Sequence, residues 1–304
     1  MKKILKVLIF LLLIGMSIAL LFIGNGYNMY KEAIENMPLE EKVEEIRSKE
    51  NYAEFSELPQ MYVNAVISVE DKRFYKHNGI DIIAIGRAAI NDIKAMAYVE
   101  GGSTITQQLA KNMYFTQEKK MERKIAEVFM AWNIESHYSK EDIFELYVNN
   151  IFFGDGYYTV KEACRGYFNK ELDEMTDYEC ILLAGIPNAP SVYAPTKNPD
   201  LAKQRQRQVM EKMIENEYLT EDEANEIQES ADDVLDKADM IGNDLKEKGN
   251  KLKDISLIPI IGSIADTKAD EIFDQAEQIS DLRQETQKYQ DDLMHSRNRL
   301  FENR

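Results

Sequence analysis

The chain has 304 residues and a formal net charge of −17, from 37 Lys and Arg against 54 Asp and Glu. An acid excess of that size argues against a general nucleic-acid binder, and two cysteines leave room for neither a disulfide scaffold nor a cysteine-rich zinc module. Three scattered histidines (His77, His137, His295) give no basis for a histidine metal centre, while 44% hydrophobic and 30% charged residues make an ordinary globular balance.

Residues 1–29 read as cytoplasmic lysines followed by a transmembrane anchor. Lys2, Lys3 and Lys6 precede or open an apolar run from Ile4 to Ile23. At about 1.5 Å per residue, roughly twenty residues span a hydrocarbon core of about 30 Å. Lysines on the N-terminal flank place that end in the cytoplasm and everything after Tyr27 outside, as in a single-pass protein of the cell membrane. The competing reading is a cleaved signal peptide, whose apolar region of about 7–15 residues is shorter than this run. Residues 30–57 are charged and helical in period, with Pro38 the only breaker, and read as a stalk or entry helix.

Residues 58–219 form a helical domain. Apolar residues recur at three- and four-residue spacing: Ile82, Ile83, Ile85, Ile90 and Ile93 on one helix, Ile125, Val128, Phe129 and Trp132 on the next. Ile143, Phe144, Leu146, Tyr147 and Ile151 give a third, and Cys180 to Ile186 a fourth that Pro187 ends. Residues 220–304 form a charged helical tail. Leu282, Tyr289, Leu293 and Leu300 make a weak coiled-coil seam. The apolar run Ile255 to Ile264, holding Pro259 and Gly262, is too short to span a bilayer and reads as a hairpin tip.

Three stretches carry chemistry. Glu70-Asp71-Lys72-Arg73-Phe74-Tyr75-Lys76-His77-Asn78-Gly79 follows an apolar helical run (Val63, Val66, Ile67). A carboxylate at the end of such a helix can have a raised pKa and act as a base, although a charged helix end is also ordinary solvated surface. Gly101-Gly102-Ser103-Thr104-Ile105-Thr106-Gln107-Gln108 is a glycine loop opening a helix. Its Thr104 and Gln107 are spaced as a capping box, at a helix N-terminus that attracts phosphate. In the third stretch, Lys119, Lys120, Arg123 and Lys124 surround Glu127 at helical spacing. That cluster suits either a pyrophosphate or plain intrahelical ion pairing.

Taken together, these stretches resemble glycosyltransferase family 51, the peptidoglycan glycosyltransferase domain of class A penicillin-binding proteins and of monofunctional transglycosylases. The family pattern runs E-D-x-x-F-x-x-H-x-G, G-G-S-T-I-T-Q-Q, R-K-x-x-E and K-x-x-I-L-E-x-Y-L-N. This chain supplies Glu70 to Gly79, Gly101 to Gln108, Arg123 to Glu127 and Lys140 to Asn149. Leu183 to Pro187 and Tyr193-Ala194-Pro195 match a later element. The resemblance covers about Leu58 to Tyr218.

What the resemblance implies is a mainly α, lysozyme-like fold that polymerises lipid II into β-1,4-linked glycan strands, with inversion and release of undecaprenyl pyrophosphate. By the match, Glu70 is the general base and Glu127 the second carboxylate near the departing pyrophosphate, where it would hold a divalent cation (Mg2+ or Mn2+) or position cationic side chains. Arg73, Ser103, Thr104, Gln107, Gln108, Lys111, Arg123 and Lys124 are the expected substrate and pyrophosphate contacts. Asp71, Phe74, His77, Glu145 and Asn149 are the expected supporting residues. The helix Ile82 to Tyr98 falls where the family has a membrane-dipping segment; the alternative is a core helix. Thr159 stands where the family usually has Gly, next to the acceptor groove.

No S-x-x-K or K-T-G element follows Tyr218, so no transpeptidase activity is expected. The alternative function is a catalytically silent lipid II-binding scaffold of the wall-synthesis machinery. A glycan hydrolase is a third reading, which the cation cluster disfavours because a glycosidase has no pyrophosphate to stabilise. The expected partners are lipid II, the growing strand and the membrane. The tail is either a docking appendage for another wall-synthesis protein or a solvated extension. It holds 22 acids and 11 bases between residues 221 and 304, a net of −11, so most of the acidity lies outside the family match. Cys164 and Cys180 read either as a pair or as two free buried thiols.

Overall fold

A computed structural model describes residues 2–95, 101–116 and 120–229. Among them no strand occurs, only one isolated bridge between Gly154 and Tyr157. The helices are α1 (Lys2–Asn36), α2 (Leu39–Arg47), α3 (Gln60–Glu70), α4 (Ile82–Ala95), α5 (Ile105–Tyr114) and α6 (Met121–His137). After them come α7 (Lys140–Val148), α8 (Val160–Phe168), α9 (Asp177–Gly185), α10 (Pro190–Tyr193) and α11 (Pro199–Glu215). The sequence periodicities at Ile82, Ile125, Ile143 and Cys180 fall on α4, α6, α7 and α9.

Helix α1 is long and apolar enough to cross a membrane. Ile4, Leu5, Phe10, Leu12, Leu20 and Leu21 are all exposed along it. It continues unbroken past residue 30, so the apolar run and the start of the entry segment share one helix. The expected stalk over 30–57 is otherwise part of the globular body. Leu39, Val43 and Ile46 lie on one face of α2, at steps of four and three, and are buried with Ala53 in the core.

That core gathers α3, α5, α7, α9 and α11 around Tyr62, Phe74, Phe144, Tyr147 and Phe153, all fully buried. The helices begin where polar residues satisfy their first N–H groups. Thr104, Ser139, Thr159 and Thr176 each open a reciprocal capping box, with Gln107, Asp142, Glu162 and Glu179 as third-position partners. Thr159 is therefore no strained replacement of a glycine. Its φ is −128°, in the extended region, and its hydroxyl accepts from the Glu162 N–H at 3.2 Å. Thr159→Ala is expected to cost about 0.5–2 kcal/mol in urea unfolding, and Thr159→Gly only a few tenths. A cost from Gly as large as that from Ala would refute the cap as its role.

Cys164 and Cys180 are free and buried, which decides against the pair. Residues 221–229 continue as helix, and Ala224 and Ile227 pack on the core, so the body extends past residue 219. The coiled-coil seam and the hairpin tip fall outside the described residues.

Candidate active site

The last turn of α3, helix α5 and the first half of α6 come together around Glu70, Lys111 and Glu127. Buried apolar side chains of α3 (Val63, Val66, Ile67) fix that helix in the core and leave Glu70 at its C-terminal end. Glu70 Oε2 accepts a 2.7 Å hydrogen bond from Gln108 Nε2 on α5. Its Oε1 is covered and has no hydrogen-bond partner among the described residues. Burial raises its pKa; the Gln108 bond and the charges of Arg205 and Lys111 pull the other way without cancelling it.

On α6, Glu127 is 1% exposed. Arg123 Nη1 donates to one of its oxygens and Lys124 Nζ to the other, the latter at 2.8 Å. Lys124 also donates to Ser103 Oγ at 2.6 Å, tying the glycine loop to α6. Lys111, on α5, is within electrostatic reach of both carboxyls. Burial lowers its pKa, and attraction to Glu127 and Glu70 works against that shift. The second carboxylate is thus clamped by cations, while the first is desolvated and half-engaged.

The flanking residues hold this arrangement. Asp71 accepts from His77 Nε2 and, at 3.0 Å, from the Ile105 N–H, so it fixes the start of α5 relative to the end of α3. Gly79, at φ +80°, brings its carbonyl to the Thr104 hydroxyl, which donates to it at 2.7 Å. A side chain there would also press on the Ala131 backbone. Arg73 Nε donates to Asp81 Oδ2, and Asp81 Oδ1 accepts the first N–H groups of α4. Glu145 accepts from the Tyr52 hydroxyl and the Phe55 N–H. Asn149 exchanges two bonds with the Ala53 backbone. Phe74 is fully buried.

Two of the expected contacts are buried. Thr104 and Gln107 are 2% and 1% exposed, with the Thr104 hydroxyl and the Gln107 Oε1 engaged in the α5 cap and on Gly79. The capping box engages the Thr104 N–H and hydroxyl and the Gln107 Oε1 within the chain. Sequence reading also missed Arg205 on α11, whose charge reaches Glu70 and whose guanidinium lies 5.8 Å from the Tyr193 ring. No local pattern marks it. Glu135 was missed too; it joins Thr106 of α5 and Lys140 of α7 across α6.

Both Glu127 oxygens are taken by cations, and among the described residues no group of three His, Cys, Asp or Glu could hold a metal.

Such a site can take a proton at one carboxylate and hold an anion at a cation cluster. The family whose model matches is Transglycosylase, over residues 38–214, more than half of the chain. The chain belongs to the transglycosylase family. Among its relatives, penicillin-binding protein 1F of Bacillus subtilis (strain 168) is 47% identical over 169 residues, 56% of this chain and 24% of that protein. Penicillin-binding protein 1A of Aquifex aeolicus (strain VF5) is 43% identical over 178 residues, 59% of this chain and 24% of that protein. The penicillin-binding protein 1A of Neisseria gonorrhoeae is 42% identical over 172 residues, 57% and 22% of the two chains. The chain therefore spans about a quarter of the length of the curated relatives it matches.

Proposed function

We propose that this chain is a membrane-anchored peptidoglycan glycosyltransferase. It polymerises lipid II into β-1,4-linked strands, without transpeptidation by these 304 residues. The observation that carries the reading is a desolvated, raised-pKa Glu70 and a cation-clamped Glu127, both within electrostatic reach of Lys111.

A sugar hydroxyl is a poor nucleophile and needs a base. Glu70 takes the proton of the acceptor 4-hydroxyl as that oxygen bonds to the anomeric carbon of the donor. The bond from that carbon to the diphosphate oxygen breaks, its electron pair leaves with the diphosphate, and a single displacement inverts the centre. Lys111, Arg123 and Lys124 meet the developing charge as preorganised cations. Glu127 holds Arg123 and Lys124 in place between turnovers, and Ser103 sets the reach of Lys124.

In this reading α1 crosses the cell membrane with its lysines in the cytoplasm, so the site lies outside. Helix α4 adds to the membrane face. Ile82, Ile83, Ile85, Ile90 and Ile93 are 44–79% exposed, which a core helix would not be.

The deciding experiment incubates the full chain, in detergent or vesicles, with labelled lipid II. Long glycan strands and free undecaprenyl pyrophosphate are expected, with no cross-linked product. Absence of polymer, with and without added divalent cation, would overturn the reading in favour of a silent lipid II-binding scaffold.

A further inference from the structure

Helix α1 does more than emerge from the bilayer: its upper end is docked on α6, the helix that carries the cation cluster. The contact is tight at Gly26, where a Cβ would come within 2.6 Å of Ile125 Cβ and 2.8 Å of the Glu122 carbonyl oxygen. Gly15 and Gly24 on the same helix have open space around them. Next to it Tyr27, and one turn further up Tyr30, pack on Phe129, with ring centroids 5.2 and 6.0 Å away. Partners rise together in number on both helices, so α1 and α6 ascend side by side.

Helix geometry turns this contact into a height. The apolar run ends at Ile23, and Gly26 lies roughly 4.5 Å farther along the axis. Ile125 is level with Gly26. Arg123 and Glu127 then fall about 3 Å below and above it, so the cluster sits roughly 1–8 Å beyond the end of the apolar run. The polar layer of a bilayer is about 5–7 Å thick on each side of the hydrocarbon. Tyr27, 42% exposed at this level, suits that layer, and Met121, 61% exposed at the foot of α6, lies roughly 1.5 Å below the end of the apolar run, at the lower edge of the layer.

We propose that α1 is a fixed spacer: its docking through Gly26 on Ile125 holds the Arg123–Lys124–Glu127 cluster at the depth of the lipid phosphates. The diphosphate of a membrane-held donor then meets its cations without being lifted from the bilayer. The proposal rests on the membrane-spanning reading of α1 and deepens the proposed function.

Two measurements test it in the full chain. The first needs no activity. Met121→Trp in a Trp132→Phe background makes a single-tryptophan reporter, because Trp132 is the only tryptophan. In vesicles carrying headgroup spin labels the reporter should be quenched. A polar helical insert of eighteen residues (five full turns) between Ile23 and Gly24 lifts α6 by roughly 27 Å while keeping the same face toward it, well clear of the headgroup layer, and should abolish the quenching. Quenching that survives the insert, or is absent from the parent, overturns the proposal.

The second measurement compares lipid II in vesicles with a short-chain, water-soluble analogue. Gly26→Leu should lower turnover of the membrane-held substrate about 10²-fold and leave the soluble one nearly unchanged, with Gly24→Leu active on both. Equal loss on both substrates, or loss on neither, overturns it. A parent that polymerises neither substrate sinks the proposed function alone, and the depth measurement still decides the spacer.

Discussion

Glu70→Gln should lower glycan polymerisation by about 10²–10⁴-fold, the range a positioned general base contributes, and should at the same time make the protein more stable. Both effects have one cause. The Glu70 carboxyl is buried, one of its oxygens lacks a hydrogen-bond partner among the described residues, and burial raises its pKa. Between the unfolded pKa and the raised folded one, the native state binds more protons than the unfolded chain. Unfolding free energy therefore falls as pH rises through that window, and stays lowered above it. An amide of the same shape removes the penalty and keeps the Gln108 contact open. Thermal melts at neutral pH should show the variant melting above the parent. A destabilised variant would mean that the carboxylate is satisfied by partners the structure does not show.

The pH profile follows from the same group. Glu70 must be ionised to act, so turnover falls as acid titrates it. The acid limb should lie above the ordinary glutamate value of about 4.3. Gln108 donates to the charged form, so Gln108→Leu should move the limb to still higher pH. A limb that stays put in this variant would detach Gln108 from the base.

Much of this was legible in the sequence because chemistry and helix grammar coincide there. The apolar run Val63–Ile67 ends at Glu70, and that alone suggests a carboxyl pushed against a core. The Thr104–Gln107 spacing spelled a cap, and the cap formed. What spacing leaves open is whether the same residues also meet a ligand. A threonine that caps a helix and one that binds phosphate are the same letter, and only the side chain's direction separates them. Burial was the other blind spot. Asp71 and His77 looked like a wet helix end, yet the loop from α3 to α4 folds them inward onto the Ile105 N–H. Arg205 belongs to a helix that reaches Glu70 only after the chain has crossed the domain, so no local window could pair them. The 30–57 segment looked like a stalk because its charges dominate its composition. The three residues that bury it (Leu39, Val43, Ile46) are few but share one face.

Arg123→Met should lower turnover by about 10²–10³-fold, the usual loss when one preorganised group facing developing charge is removed. Its effect on folding should be small by comparison. Arg123 is one of two cations on Glu127, and Lys124 still holds the other oxygen after the change. Removing the carboxylate is a different experiment. Glu127→Ala leaves Arg123 and Lys124 facing each other over a buried position, with Lys111 close by, and nothing of opposite charge between them. Turnover and melting temperature should fall together. Arg123→Lys separates charge from shape. A lysine restores one positive charge but cannot bond the Glu127 oxygen and a diphosphate oxygen from one planar fork. It should recover part of the rate, with the remaining loss in kcat, where the leaving group departs, more than in KM. Parent-like kcat in the lysine variant would reduce the cluster to bulk positive charge. An unchanged rate in the methionine variant would remove Arg123 from the leaving-group site altogether.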